Sequence, residues 1–98
     1  MEIRFQDDDL DRLERDKGFT GGHSQAIVSA FRKQLWYVRS VPDERDLYQK
    51  RSLRFEKLKG NRSHQHSIRL NKQWRLILEL DKNTRPKTVL IVGIEDYH

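Results

Sequence analysis

Three side chains capable of proton and phosphate chemistry stand together in GIEDYH, residues 93–98: Asp96, Tyr97 and His98. An imidazole moves protons near neutral pH. A phenol stacks on a base or donates a hydrogen bond. A carboxylate orients a neighbour or pairs with an arginine. The alternative is a polar strand end with a loosely held tail. Alternation along an extended chain puts Asp96 and His98 on one face and Tyr97 on the other.

A second group lies in LRFEKLKGNR, residues 53–62, where Lys57, Lys59 and Arg62 surround Gly60. A lysine beside a glycine turn can approach a phosphate closely, with backbone N–H groups nearby. The Walker spacing is absent. Solvated lysines on a plain hairpin fit the same residues. Arg75 is the third candidate, set in a strand between Trp74 and Leu76. It can pair across a sheet with Glu56 or Glu79, or hold a phosphate bidentately. His64 and His66 are spaced H-x-H, but no third ligand stands at metal-site spacing and the chain has no cysteine. They are read as structural, with no metal and no cofactor expected.

The elements that must position these residues follow from periodicity. Met1–Phe5 alternates and reads as a short strand. Asp7 to Asp9 precede Leu10 and Leu13, a short helix ended by Gly18. Ser24 caps a longer helix whose stripe is Ile27, Ala30, Phe31, Leu35 and Val38, stopped at Val41-Pro42-Asp43. The rest reads as strands. SLRFEKL points Leu53 and Phe55 one way, Arg54 and Glu56 the other. HQHSIRL and QWRLILEL flank a hairpin at Asn71-Lys72. TVLIVGI is apolar on both faces and suits a central strand. The expectation is a single α+β domain over 1–98, order β-α-α-β-β-β-β, with two N-terminal helices on one face of a mainly antiparallel sheet. Its open face would carry Arg54, Glu56, Arg69 and Arg75.

Charge narrows the partner. Residues 1–48 are net −2 and residues 49–98 net +7, and between Lys50 and Arg75 nine basic residues face one acid, Glu56. A basic half on a small domain suits a polyanion, most often nucleic acid. The apolar content of 35% supports a modest core, and no run is long enough to span a bilayer. The acidic start MEIRFQDDD is unlike a signal peptide. A cytoplasmic protein without membrane contact is expected.

SLRFEKLKGNR, HSIRLNKQWRLILEL and the terminal VGIEDYH, in that order and spacing, resemble HigB-type toxins of the RelE/ParE superfamily, from bacterial type II toxin–antitoxin operons. The resemblance covers essentially the whole chain. It implies the RelE-like fold and a metal-free endoribonuclease that enters the ribosomal A site and cleaves mRNA, the RNA's 2′-hydroxyl acting as nucleophile. It implies a HigA-like helix-turn-helix antitoxin, with operator DNA bound only through that partner. By position, Lys59 and Arg75 would stabilise phosphate charge, His98 would move a proton, Tyr97 would stack on or orient the nucleotide, and Asp96 would support the site. Arg54, Glu56, Lys57, Arg62 and Arg69 would bind RNA. Many relatives have a histidine where this chain has Arg54 or Glu56. Glu56 as base would need a raised pKa near neutrality. The competing expectation is a non-catalytic, ParE-like module that inhibits a protein target such as DNA gyrase.

Overall fold

The computed structural model describes residues 1–84 and 87–96. Its elements are β1 (Glu2–Phe5), α1 (Asp8–Arg15), α2 (Gln25–Ser40), α3 (Glu44–Gln49), β2 (Glu56–Lys57), β3 (Gln65–Arg69), β4 (Trp74–Asp81) and β5 (Thr88–Asp96). Short 3-10 turns lie at Arg51–Leu53 and Gly60–Arg62. The strands form one sheet in the order β1-β5-β4-β3-β2. β1 runs parallel to β5, and every other neighbouring pair is antiparallel.

The helices start where their caps dictate. The Asp7 carboxylate accepts from the Leu10 N–H at 3.0 Å, and the Ser24 hydroxyl from the Ile27 N–H at 3.2 Å. Ile27, Val28, Phe31, Leu35 and Val38 are the buried stripe of α2, with Val28 more deeply set than Ala30. Val28, Phe31, Leu35 and Val38 of this stripe pack with Leu10 and Leu13 against Ile68, Leu76, Leu78, Val89 and Ile91. The helices thus cover one sheet face and leave the other open. No helix among the described residues is long and apolar enough to cross a membrane.

The α+β class and the helix-on-sheet arrangement are as expected, with three local additions. The first is α3. Pro42 stops α2, then the Asp43 carboxylate accepts from the Arg45 N–H at 3.0 Å and starts a six-residue helix that buries Leu47 in the core. Lys87 ties that helix start to β5, donating to Asp43 Oδ2 at 2.9 Å and Glu44 Oε2 at 3.0 Å. The second is a break in the run expected to be strand over Leu53–Leu58. Leu53 and Phe55 are buried as the alternation requires, but Arg54 between them is left-handed at φ 47°, ψ 50°. Only Glu56–Lys57 pairs as strand.

The third is a bulge in β5. Ile77 lies opposite Gly93 and Leu78 opposite Ile91, so Val92 is the extra residue. Val89 and Ile91 face the core by simple alternation. After the bulge the core-facing residue is Ile94, which packs against the same cluster. The parity change carries Glu95 to the open face, directly opposite Arg75. The central position of β5, between β1 and β4, accounts for its apolar character on both sides.

Candidate functional site

On the open face β2, β3, β4 and the end of β5 enclose a groove of about 220 Å³. Ser67 and Ile77, both nearly fully buried, form its floor. Glu56, Arg62, Arg75, Glu95 and Asp96 stand around it. Arg62 is fixed by two parallel bonds to Glu95, at 3.0 and 2.7 Å, and by Nε to Gln65 Oε1 at 2.9 Å. The paired carboxylate raises the Arg62 pKa and holds the guanidinium charged. Arg75 Nη1 donates to the Arg54 carbonyl at 3.2 Å. The left-handed turn at Arg54 supplies that carbonyl. Gln73 Nε2 donates to Asp96 Oδ2 at 3.0 Å and steadies the end of the strand.

Beside the groove lies a shallower hollow of about 210 Å³, lined by Arg54, Arg69, Asn71, Lys72 and Arg75. Arg75 belongs to both. The two differ in charge. Three carboxylates face two guanidiniums in the groove, whereas the hollow carries four cations and no acid. Such a pair of sites can hold a phosphate chain in the hollow and offer proton acceptors in the groove.

A family model described as RelE-like toxin of type II toxin–antitoxin system HigB matches residues 3–94. The chain belongs to the HigB-like toxins. A solved structure, the YoeB/ParE toxin from Agrobacterium tumefaciens, aligns over 100% of both chains with TM-score 0.58 at 12% identity. That likeness is one of fold. No curated protein sequence matches the chain.

Of the residues expected in the toxin's site, Arg75, Asp96, Arg62 and Glu56 do meet around the groove, and Arg54 and Arg69 line the hollow beside it. Lys57 does not join them. It lies opposite His66 in the β2–β3 ladder, one residue on from Glu56, and so on the other side of the sheet. Lys59 is exposed in the turn before Gly60 and is outside the groove's lining. Tyr97 and His98 lie outside the described residues. Arg75 has Glu95 and Arg69 as its cross-strand neighbours, while Glu79 sits opposite Gln65 and Leu90.

Glu95 is the site residue that strict alternation misses, because that pattern assigns it to the core side. The available signal was Gly93 inside an apolar strand, a common mark of a bulge. The two histidines also separate. His64 Nε2 lies 3.8 Å from Glu79, whereas His66 stacks on Phe55 at 4.8 Å between ring centroids. Burial, then the positive charges of Lys57 and Lys82, push the His66 pKa down. Its Nδ1 is buried without a hydrogen-bond partner among the described residues.

Proposed function

We propose that this HigB-like toxin is a ribosome-dependent mRNA endonuclease that arrests translation. The supporting observation is the groove itself, where Arg75 and Glu56 stand over a small floor beside Asp96, the last residue of β5. In the proposed reaction a base removes the proton of a 2′-hydroxyl, and that oxygen bonds to the adjacent phosphorus. The bond from phosphorus to the 5′-oxygen breaks, and an acid protonates the departing oxygen. The products are a 2′,3′-cyclic phosphate and a 5′-hydroxyl.

Arg75 stabilises charge on the phosphate, and Lys59, exposed before Gly60, adds positive charge from outside the groove. His98 moves the proton, with Glu56 as the second acceptor. Tyr97 orients the nucleotide and Asp96 supports the pair. The ribosome supplies alignment that so small a domain cannot supply alone. A type II toxin has an antitoxin partner, here proposed to be a HigA-like helix-turn-helix protein through which alone the pair binds operator DNA. The site of action would be the cytoplasm.

A second reading has one observation in its favour. Among the described residues no histidine lines the groove. A toxin-like module that blocks a protein target such as DNA gyrase needs none. Primer extension on a defined mRNA in a reconstituted bacterial translation system separates the two, with wild type and His98→Ala, with and without ribosomes. New in-frame ends, dependent on ribosomes and lost in the variant, are expected. A folded wild type that arrests growth but leaves mRNA intact refutes cleavage and favours a protein target.

A further inference from the structure

A second cleft, of about 850 Å³, is distinct from the groove described above. It opens between α2, α3 and the sheet edge, with Lys33, Lys50, Arg51, Arg54 and Arg69 on its walls against one acid, Glu56. The side chains of Lys33, Arg51 and Arg54 make no hydrogen bond or ion pair among the described residues. Arg54 and Arg69 also line the hollow beside the groove, so one cationic track runs from the cleft to Arg75. We propose that this cleft is an anchoring site for single-stranded RNA, holding nucleotides outside the reacting pair. The proposal rests on the endonuclease reading above and assigns the binding step to a different surface.

Two observations select RNA as the occupant. The groove's carboxylates outnumber its guanidiniums, so the groove is poorly suited to retain a polyanion, while the cleft has the required excess of cations. Tyr48 lines the cleft and is 51% exposed, one of two large apolar side chains left open among the described residues. Its ring is braced edge-on by Phe55 at 4.7 Å, which itself stacks on His66. A fixed ring with an open face among cations is a stacking platform for a base. An acidic peptide would satisfy the cations but gives Tyr48 nothing to stack.

The test is binding of a fluorescein-labelled twelve-nucleotide RNA, followed by anisotropy across a salt series. The proteins are wild type, Lys33→Ala/Arg51→Ala, Tyr48→Ala and Tyr48→Phe, each first checked for folding by thermal melting. The double variant is expected to lose affinity at least ~10-fold and to flatten the slope of log K against log salt by about 1.4, two contacts at about 0.7 each. Tyr48→Ala is expected to lose about 10-fold with the slope unchanged, and Tyr48→Phe to bind as wild type. Unchanged affinity in the folded variants overturns the proposal, as does competition by a glutamate oligomer equal to that by unlabelled RNA. The same proteins in the translation assay keep the two readings apart. Cleft-dependent RNA binding without cleavage leaves the cleft standing and removes the nuclease. Cleavage that ignores the cleft variants does the reverse.

Discussion

Arg54 places a guanidinium at the meeting point of the cleft and the hollow at a conformational cost, and Arg54→Gly separates the two. A non-glycine residue in the left-handed region costs about 1–2 kcal/mol. Glycine removes that strain but adds about 0.5–1 kcal/mol of backbone entropy to the unfolded chain. The net gain is about 0.5–1 kcal/mol, a rise of roughly 4 °C in Tm for a domain of this size. The bond from Arg75 Nη1 survives because its acceptor is the backbone carbonyl of residue 54. RNA affinity should move the other way, by about 10-fold or ~1.4 kcal/mol, with a salt slope flatter by about 0.7. Arg54→Ala is the control. It loses the same charge and keeps the strained backbone, so it should bind as poorly as Arg54→Gly and melt lower. Differential scanning calorimetry and the anisotropy titration read both quantities. If Arg54→Gly melts at or below Arg54→Ala, the strain argument is wrong; if both retain wild-type affinity and slope, the electrostatic one is.

Three other outcomes are expected. A Cβ built on Gly93 meets nothing within 4 Å, and Gly93 lies opposite the groove-floor residue Ile77. Gly93→Ala should therefore fold and cleave normally, while Gly93→Leu should fold but lose cleavage at least ~10-fold by filling substrate space, read in the translation assay. Because the folded pKa of His66 lies below its ordinary value of 6.5, the unfolded chain takes up that proton first. The resulting stability is full above pH 6.5 and falls as pH drops through the folded value. His66→Phe should flatten this, so that urea midpoints of variant and wild type diverge between pH 8 and pH 5 in the variant's favour. The Asp43 carboxyl is held far below the usual aspartate range, first by the Arg45 N–H and then by Lys87. Its contribution is fully present above the ordinary aspartate value and is lost as pH falls through the much lower folded value. Asp43→Asn, which can still cap α3, should be less stable than wild type at pH 7, with the difference narrowing as pH falls from 4 towards 2.

Periodicity made the main architecture readable. The stripe of α2, the caps at Asp7 and Ser24, and the doubly apolar β5 each have a local cause in the residues that display it. What stayed hidden depends on contacts distant in sequence. ERDLYQ contributes a single buried apolar residue, Leu47, too little for a helical stripe, and α3 is fixed instead by Asp43, the core and Lys87, some forty residues away. The left-handed Arg54 breaks a run whose alternation is otherwise that of a strand, and no glycine or asparagine marks the position. The bulge at Val92 inverts the parity of Ile94, Glu95 and Asp96, so simple alternation excludes Glu95 from the site. The open-face residues Arg54, Glu56, Arg69 and Arg75 were legible because none of them lies beyond the bulge. The cleft was not legible, since Lys33, Tyr48 and Arg51 come from three elements, and only the docking of α3 brings them together.

These departures share a consequence for how charge is distributed. A proton acceptor crowded by cations has its pKa lowered and becomes a weaker base. A site that must both grip RNA and remove a proton from a 2′-hydroxyl therefore benefits from separating the two tasks. Here the bulge brings Glu95 to the groove, where it takes up Arg62 and keeps the local balance acidic. The turn at Arg54 and the docking of α3 gather unpaired cations on the far side of Arg75. Glu95 and Asp96 line the groove and not the cleft, whereas Glu56 lines both, so the separation is fuller for the first two than for Glu56. In the proposed reaction Arg75, which lines both the groove and the hollow, would link the held strand to the reacting phosphate.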